Sequence, residues 1–383
     1  MKYFCRNGNK YIYTIMKLSL RMSLLLAAMM MLGSNVTAQE KKQEPLKYVN
    51  AQELRIINKG FTDTNADYTR LPSWIEDSIR PGLWNRAQCS AGIGIRFATN
   101  SKRVGVKYHL LWNTHMLHMA DTGLKGTDLY RLSDDGVWEY VNTNRPNADD
   151  EKMCEKIYVE NLAGDMREFM IYLPLYDGVT DIYVSVDSSA TIQKPQVDSP
   201  RVSKKIVMYG TSILQGGCAS RTGMVATSML QRDLNCEVVN LGFSGEGKMD
   251  MVMARAMAQI ADADVYVLDP IPNCTEMMCD TITYGFVKCL RELRPDVPIV
   301  MVEGQMYPYA KFDSYFGNYL PKKNAAYRKN YEKLKKENPK NLYYVTCKDL
   351  IDDEGTVDGI HLTDLGFRHY ANHLKPLLKK LIK

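Results

Sequence analysis

Three residues in the C-terminal half carry the side chains needed to activate a hydroxyl group. Ser212 lies after the segment KKIVMYG at residues 204–210, whose apolar run IVMY is typical of a buried strand. Asp358 and His361 stand three residues apart within the sequence DGIH. A serine hydroxyl is a weak nucleophile until a base removes its proton, and that base needs a third group to fix its tautomer. These residues are therefore candidates for acyl transfer, although a serine at the end of a strand is also a common helix cap.

Acyl transfer also needs hydrogen-bond donors where the carbonyl oxygen becomes negative. Gly245 follows a second apolar run and offers a backbone N–H without a side chain that would obstruct a substrate. Asn273 follows a third run and offers a side-chain NH2 group. Arg221 and Glu303 are candidates for the substrate pocket. Simpler roles explain each of the four equally well: a turn, a loop cap, an ion pair or burial.

The segments that would position these residues alternate between strand and helix patterns over residues 204–383. Near-continuous apolar strands separated by helices predict a parallel sheet covered on both faces, a three-layer α/β/α fold. Ligands bind such sheets beyond the carboxyl ends of the strands. Ser212, Gly245, Asn273 and Glu303 each follow a predicted strand. The fold class therefore brings distant candidates to one edge of the sheet.

A different pattern precedes residue 193. Short segments between residues 91 and 187 alternate apolar and polar residues and are rich in Val, Ile, Tyr and Phe. They predict an antiparallel β-sandwich of jelly-roll type, whereas residues 40–90 give no clear pattern. The stretch QKPQVDSPRVS at residues 193–203 has two prolines and no apolar periodicity, which indicates a linker. The predicted domains are therefore residues 39–192 and residues 204–383.

The first 38 of the 383 residues have the features of a cleavable secretory signal. They hold five cations, no acidic residue, and an apolar run at residues 22–32 that is too short to span a membrane. We expect cleavage after Ala38 and a secreted or periplasmic protein, with an uncleaved anchor as the alternative. The five cations account for the formal net charge of +5. The remainder is about neutral, which argues against nucleic acid or an anionic membrane surface as a partner.

The cysteines and histidines give no sign of a metal site. Eight cysteines follow the predicted signal; an even number permits disulfides in an exported protein, and Cys274 and Cys279 are close enough in sequence to bridge locally. None has the spacing of a zinc site. His115 and His118 form a His-x-x-His pair without an apparent third ligand. We expect no metal and no cofactor.

Taken together, the blocks around the candidate residues resemble those of the SGNH, or GDSL-like, hydrolases. GTSI after the first strand, a glycine after the second, an asparagine after the third and DGIH near the C-terminus occur in the order of that family. The first block has GTSI where GDSL is usual, and the third has DPIPN. The resemblance covers about residues 202–383. Independently, GTDLY at residues 126–130 resembles the signature of the GxDLY domain, which precedes one branch of these hydrolases.

This resemblance implies a flavodoxin-like sheet and a serine esterase that needs no cofactor. Ser212 would be the nucleophile, Asp358 and His361 the other members of the triad, and the Ser212 amide, Gly245 and Asn273 the oxyanion hole. Together with export, it implies an esterase that removes acetyl or other short acyl groups from a carbohydrate.

Two other functions stay open. One is a non-catalytic glycan-binding protein with a relic hydrolase domain, in which Trp112, Tyr130 and Trp138 of the sandwich hold sugar. The other is an acyltransferase that uses the same triad but excludes water from the acyl-enzyme. The sequence leaves the acyl group, the glycan and the oligomeric state open.

Overall fold

The computed structural model of the protein describes residues 43–146 and 152–382. The signal segment predicted for residues 1–38 therefore lies outside the described residues. Leu46–Lys383 form one compact unit. Within the described ranges, no helix combines the length and the apolar character that crossing a membrane requires.

The N-terminal half folds into two antiparallel sheets, which confirms the predicted β-sandwich. Its strands are β1 Leu46–Asn50, β2 Arg55–Ile57, β3 Gly94–Thr99, β4 Val104–Leu110, β5 Asp128–Leu132, β6 Trp138–Thr143, β7 Met153–Val159, β8 Arg167–Tyr172, β9 Val179–Asp187 and β10 Ile192–Gln193. One sheet has the order β1-β9-β4-β7, and the other has the order β10-β3-β8-β5-β6 with β2 paired to β3. Ile95 and Phe97 of β3 share an apolar core with Val106 and Val184 of the other sheet. The alternating pattern arises because one face of each sheet is buried in this way.

Two short helices interrupt the strands of this half, α1 Pro81–Ala87 and α2 Asp121–Leu124. Helix α1 begins with a proline, whose fixed φ and missing N–H suit the first helical position. Its buried residues Leu83 and Ala87 do not belong to the sandwich core. They pack in the apolar core on one face of the parallel sheet of the C-terminal half.

The C-terminal half confirms the predicted three-layer α/β/α fold. Its strands are β11 Arg201–Gly210, β12 Cys236–Gly242, β13 Val265–Asp269, β14 Ile299–Val302 and β15 Leu342–Val345. They are parallel and have the order β12-β11-β13-β14-β15, which is the flavodoxin-like arrangement. The helices are α3 Ser212–Gln215, α4 Ala226–Leu234, α5 Met251–Ala258, α6 Glu276–Thr281, α7 Thr283–Leu293, α8 Ser314–Glu337 and α9 Asp364–Leu381.

Helices cover both faces of this parallel sheet. Along β11, Ile206 and Met208 pack in a core with residues of α4 and α9. Val207 and Tyr209 point to the opposite face and pack with residues of α5, α7 and α8. Because both faces are buried, the central part of the strands is mostly apolar, as in Ile206–Tyr209 of β11, and shows no alternation.

The two halves make direct polar contacts with each other. The guanidinium of Arg70, which precedes α1, donates to Gly242 O at 2.6 Å and to Asn240 O at 3.1 Å. The N-terminal half thus holds the end of β12, where the loop with Gly245 begins. Strand β10 ends at Gln193 and β11 begins at Arg201, while the domain boundary over residues 193–203 stays a prediction.

The eight cysteines of the described residues carry free thiols. Cys274 and Cys279, for which the sequence permitted a local bridge, are both buried free thiols.

The buried carboxyl group of Asp269, the last residue of β13, leads us to expect that the stability of the fold depends on pH. It is 3% exposed, and its Oδ2 accepts a hydrogen bond from Tyr370 Oη at 2.8 Å. Burial raises the pKa of Asp269 from 3.8 to about 7 despite that hydrogen bond. The folded chain therefore holds this proton more tightly than the unfolded chain. The stabilisation is complete below about pH 4 and is lost as the pH rises through about 7.

Asp269→Asn keeps the neutral shape and cannot ionise. We expect the wild type to lose up to about 4 kcal/mol of unfolding free energy relative to this variant between about pH 4 and pH 7. Urea unfolding of both proteins at several pH values measures the difference. Parallel stability profiles for the two proteins would refute the prediction.

Candidate active site

Ser212 is the first residue of helix α3, directly after β11. Thr211 caps this helix, and its hydroxyl accepts the Ile213 N–H at 3.4 Å. Ser212 is 7% exposed, so its hydroxyl lies at the sheet edge with narrow access. Within residues 43–146 and 152–382, no acceptor contacts the Ser212 N–H.

The loop before α9 brings both predicted partners to Ser212. His361 Nε2 lies 3.0 Å from Ser212 Oγ, and His361 Nδ1 lies 2.7 Å from Asp358 Oδ2. Backbone hydrogen bonds join this loop to the chain after α3, because Leu362 accepts from Cys218 N–H at 3.1 Å and donates to Gly217 O at 3.3 Å. The structure thus forms an unbroken path from carboxylate through imidazole to hydroxyl, the geometry that activates a serine.

A tight turn after Asp358 positions its carboxylate beside His361. Gly359 has φ +86°, a left-handed conformation that favours glycine. The turn lets Asp358 Oδ1 accept the N–H groups of Ile360 at 3.0 Å and His361 at 2.8 Å. Burial alone would raise the pKa of Asp358, but the His361 ring and these two backbone hydrogen bonds hold that pKa below its ordinary value. The carboxylate therefore fixes the proton of His361 on Nδ1 and leaves the Nε2 lone pair facing Ser212.

The predicted oxyanion residues follow the two strands on either side of β11. Gly245 has φ +73°, and an added Cβ would meet no atom within 4 Å, so the loop is open on that side. Its N–H has no acceptor in the part of the chain that the structure describes. Asn273 Nδ2 donates to Phe243 O at 3.2 Å, which occupies one of its two hydrogens. Ser212, Gly245 and Asn273 are thus positioned by β11, β12 and β13, which are adjacent in the sheet.

Arg221 and Glu303, predicted for the substrate pocket, are engaged elsewhere. Arg221 donates to Asp128 Oδ2 and to Tyr130 Oη, both at 2.7 Å. Glu303 Oε1 accepts from Arg328 Nε at 3.0 Å. Asp128 and Tyr130 belong to the GTDLY sequence, so the polar side chains of this motif hold the segment after α3. Arg221 lies at the junction of the two halves, and Glu303 pairs with helix α8.

The N-terminal half contributes two aromatic side chains that lie close to the triad. Tyr176 Oη donates to Ser212 O at 3.2 Å, and the centroids of the His118 and His361 rings are 5.7 Å apart. Tyr176 comes from a loop that carries no local motif, whereas His118 belongs to the His-x-x-His pair, which the sequence suggested only as a possible metal site. Beside the triad lies a cavity of about 310 Å³, lined by Gly82, Asn85, Arg86, Trp112, Thr114, Tyr176, Ser244 and Glu246.

One group of potential metal ligands lies at this site. The ligand atoms of His118, Cys218 and His361 are within 4.8 Å of one another. Both ring nitrogens of His361 are already hydrogen-bonded, and burial raises the pKa of the Cys218 thiol to about 11. These donors therefore do not fit a resident metal, because ligands must offer free lone pairs. His115 pairs instead with Asp121 at 2.9 Å.

Of the three aromatic residues considered for sugar binding, the structure leaves one accessible. Trp112 is 40% exposed. Tyr130 and Trp138 are 3% and 8% exposed and pack in an apolar cluster. Of the sugar-binding residues named for the alternative of a glycan-binding protein, Tyr130 and Trp138 are therefore buried, because side chains of the strands β5 and β6 pack inward at these two positions.

Comparison with known proteins agrees with the fold of both halves. Residues 203–379 match the GDSL-like lipase/acylhydrolase family, and residues 46–192 match the GxDLY family, the N-terminus of esterases of the SGNH hydrolase type. A GDSL-like lipase from Bacteroides ovatus ATCC 8483 is 34% identical and has a TM-score of 0.82; the match covers 88% of this chain and 98% of that protein. The comparison with curated proteins found no match.

Two more distant structures share the fold. The salicylyl-acyltransferase SsfX3 from a tetracycline biosynthetic pathway is 17% identical, with a TM-score of 0.69 over 89% of this chain and 98% of that one. The acetyl xylan esterase Est2A from the rumen bacterium Butyrivibrio proteoclasticus is 11% identical, with a TM-score of 0.57 over 88% and 98%. From the two family matches and the Bacteroides relative, we conclude that the chain belongs to the GDSL-like, or SGNH, family of ester hydrolases and carries its GxDLY N-terminal domain.

Proposed function

We propose that the protein is an exported serine esterase that removes acetyl or other short acyl groups from a carbohydrate. The observation that carries this proposal is the path of hydrogen bonds from Asp358 through His361 to Ser212 Oγ. Membership in a family of ester hydrolases supports the reaction class. The secretory pattern of residues 1–38 supports a secreted or periplasmic location, and an acylated carbohydrate is the proposed partner.

Acylation begins when Ser212 Oγ attacks the ester carbonyl and His361 Nε2 takes its proton. The carbonyl oxygen becomes negative and receives hydrogen bonds from the Ser212 and Gly245 N–H groups and from Asn273 Nδ2. His361 then returns the proton to the sugar hydroxyl as the C–O bond breaks. The products of this half-reaction are the free sugar hydroxyl and an ester on Ser212.

Deacylation repeats the same steps with water. His361 removes a proton from the water as it attacks the ester on Ser212, and the proton then restores the serine hydroxyl. Asp358 stabilises the positive charge on the imidazole in both halves of the reaction. Its carboxyl group is ionised at neutral pH, since the pKa lies below its ordinary value, and the carboxylate supplies the compensating negative charge.

Acetate release and transfer to an added alcohol, measured together, test this function. We expect the purified protein to release acetate from acetylated polysaccharides and from p-nitrophenyl acetate, with little acylation of an added sugar acceptor. A product dominated by the acylated acceptor would identify an acyltransferase. Glycan binding without any ester cleavage would identify a binding protein and overturn the proposal.

A further inference from the structure

The cavity beside the triad contains an unpaired cation. The guanidinium of Arg86 lines this cavity, and within residues 43–146 and 152–382 it makes no hydrogen bond or ion pair. Glu246, the carboxylate on the same wall, forms ion pairs with Arg80 and Lys248. The charge of Glu246 is therefore neutralised, while that of Arg86 is available to a ligand.

This cavity adjoins the reacting atoms. Tyr176 lines it and donates to the carbonyl oxygen of Ser212 at 3.2 Å. Ser244 also lines it and directly precedes Gly245, the proposed oxyanion residue. Two lining residues thus connect the cavity to the proposed nucleophile and oxyanion loop: Tyr176 through its hydrogen bond to the Ser212 backbone and Ser244 through its position before Gly245. A sugar whose ester lies at Ser212 has this cavity as the adjacent space for its ring.

An exposed aromatic face completes the cavity. Trp112 is 40% exposed and lines the same space. Its backbone N–H and that of Thr114 donate to the two carboxylate oxygens of Asp177, at 3.0 and 2.6 Å. Asp177 is fully buried, so this loop is held in place and the indole is preorganised. A flat apolar surface beside polar groups is typical of sites that orient a small cyclic ligand.

We propose that this cavity binds a uronic acid unit of the acylated carbohydrate, with Arg86 holding its carboxylate and Trp112 packing against its ring. Arginine suits this role because its planar guanidinium binds a carboxylate through two parallel hydrogen bonds. A neutral sugar would leave this charge without a partner. The inference rests on the proposed esterase function and names its substrate class, an acylated acidic glycan.

The test compares polymers that differ in the carboxylate. We expect kcat/KM for acetate release to be about tenfold higher on acetylated polygalacturonate than on galactan acetylated to the same degree. Acetylated glucuronoxylan and acetylated xylan without uronic side groups repeat the comparison for a second uronic acid.

The variant Arg86→Gln is expected to remove the preference for acidic polymers, mainly by raising KM on those polymers. The variant Arg86→Lys is expected to keep part of the preference. Arg255→Gln, an exposed arginine on α5, is the matched control and should keep the wild-type preference.

Added salt tests the role of the Arg86 charge in substrate preference without a substitution. Raising the NaCl concentration should reduce the preference of the wild type for the acidic polymers, because exposed charges are screened. Equal kcat/KM on acidic and neutral polymers for the wild type, or an equal loss on both with Arg86→Gln, would overturn the uronate site while leaving the esterase intact. The absence of acetate release from every polymer and from p-nitrophenyl acetate would instead contradict the proposed function.

Discussion

Ser212→Ala is expected to lower kcat for ester hydrolysis by about 10⁴-fold or more. The methyl group cannot form the acyl intermediate, so only unassisted attack by water remains. Initial rates with p-nitrophenyl acetate and with an acetylated glycan measure the loss. The fold should persist, because the Ser212 hydroxyl contacts the loop of His361 through one hydrogen bond, while backbone hydrogen bonds at Cys218 and Leu362 hold that loop.

A second serine variant serves as the control for Ser212→Ala. Ser314 is exposed at the start of α8, and Ser314→Ala should retain the activity of the wild type. Thermal unfolding of both variants checks that neither loses the fold. A folded Ser212→Ala protein that hydrolyses both esters at more than about a hundredth of the wild-type rate would exclude Ser212 as the nucleophile.

Asp358→Asn is expected to lower kcat by about 10⁴-fold. The Asn amide can donate to His361 Nδ1, which would place the ring proton on Nε2 and remove the lone pair that faces Ser212. Its oxygen can still accept the N–H groups of Ile360 and His361, so the turn should remain folded. Initial rates and unfolding midpoints of the variant, compared with the wild type, measure the two effects separately.

Asp358→Ala provides the contrast for this prediction. It removes the acceptor of the two backbone N–H groups as well as the partner of the ring, so it should lower both kcat and the unfolding midpoint. If Asp358→Asn were folded and within tenfold of the wild-type rate, Asp358 would not orient His361.

Much of the fold and the candidate triad could be predicted because the signals are local. The strand before Ser212 is apolar from Ile206 to Tyr209, where both of its faces are buried, and such runs predict a parallel sheet. Strand ends in a parallel sheet meet at one edge. That rule brings Ser212 and His361 together although 149 residues separate them in the chain.

The remaining site residues could not be predicted because their positions depend on how the two halves pack. Arg86 and Tyr176 lie in segments without a motif, and they line one cavity together with Trp112. Trp112 is a candidate from the sequence only for the alternative function of a glycan-binding protein. Arg221 is a pocket candidate from the sequence, whereas in the structure its guanidinium donates to Asp128 of β5. Such long-range partners leave no periodic pattern in the chain.

Covalent labelling with a fluorophosphonate tests the central claim most directly, because this reagent reacts with a serine hydroxyl that a neighbouring base activates. We expect one phosphonyl group per chain, located on Ser212 by mass spectrometry of peptides, with esterase activity falling in step with labelling. Asp358→Asn should label much more slowly. Labelling of a different residue in step with the loss of activity, or full esterase activity after complete labelling of Ser212, would contradict the proposed triad.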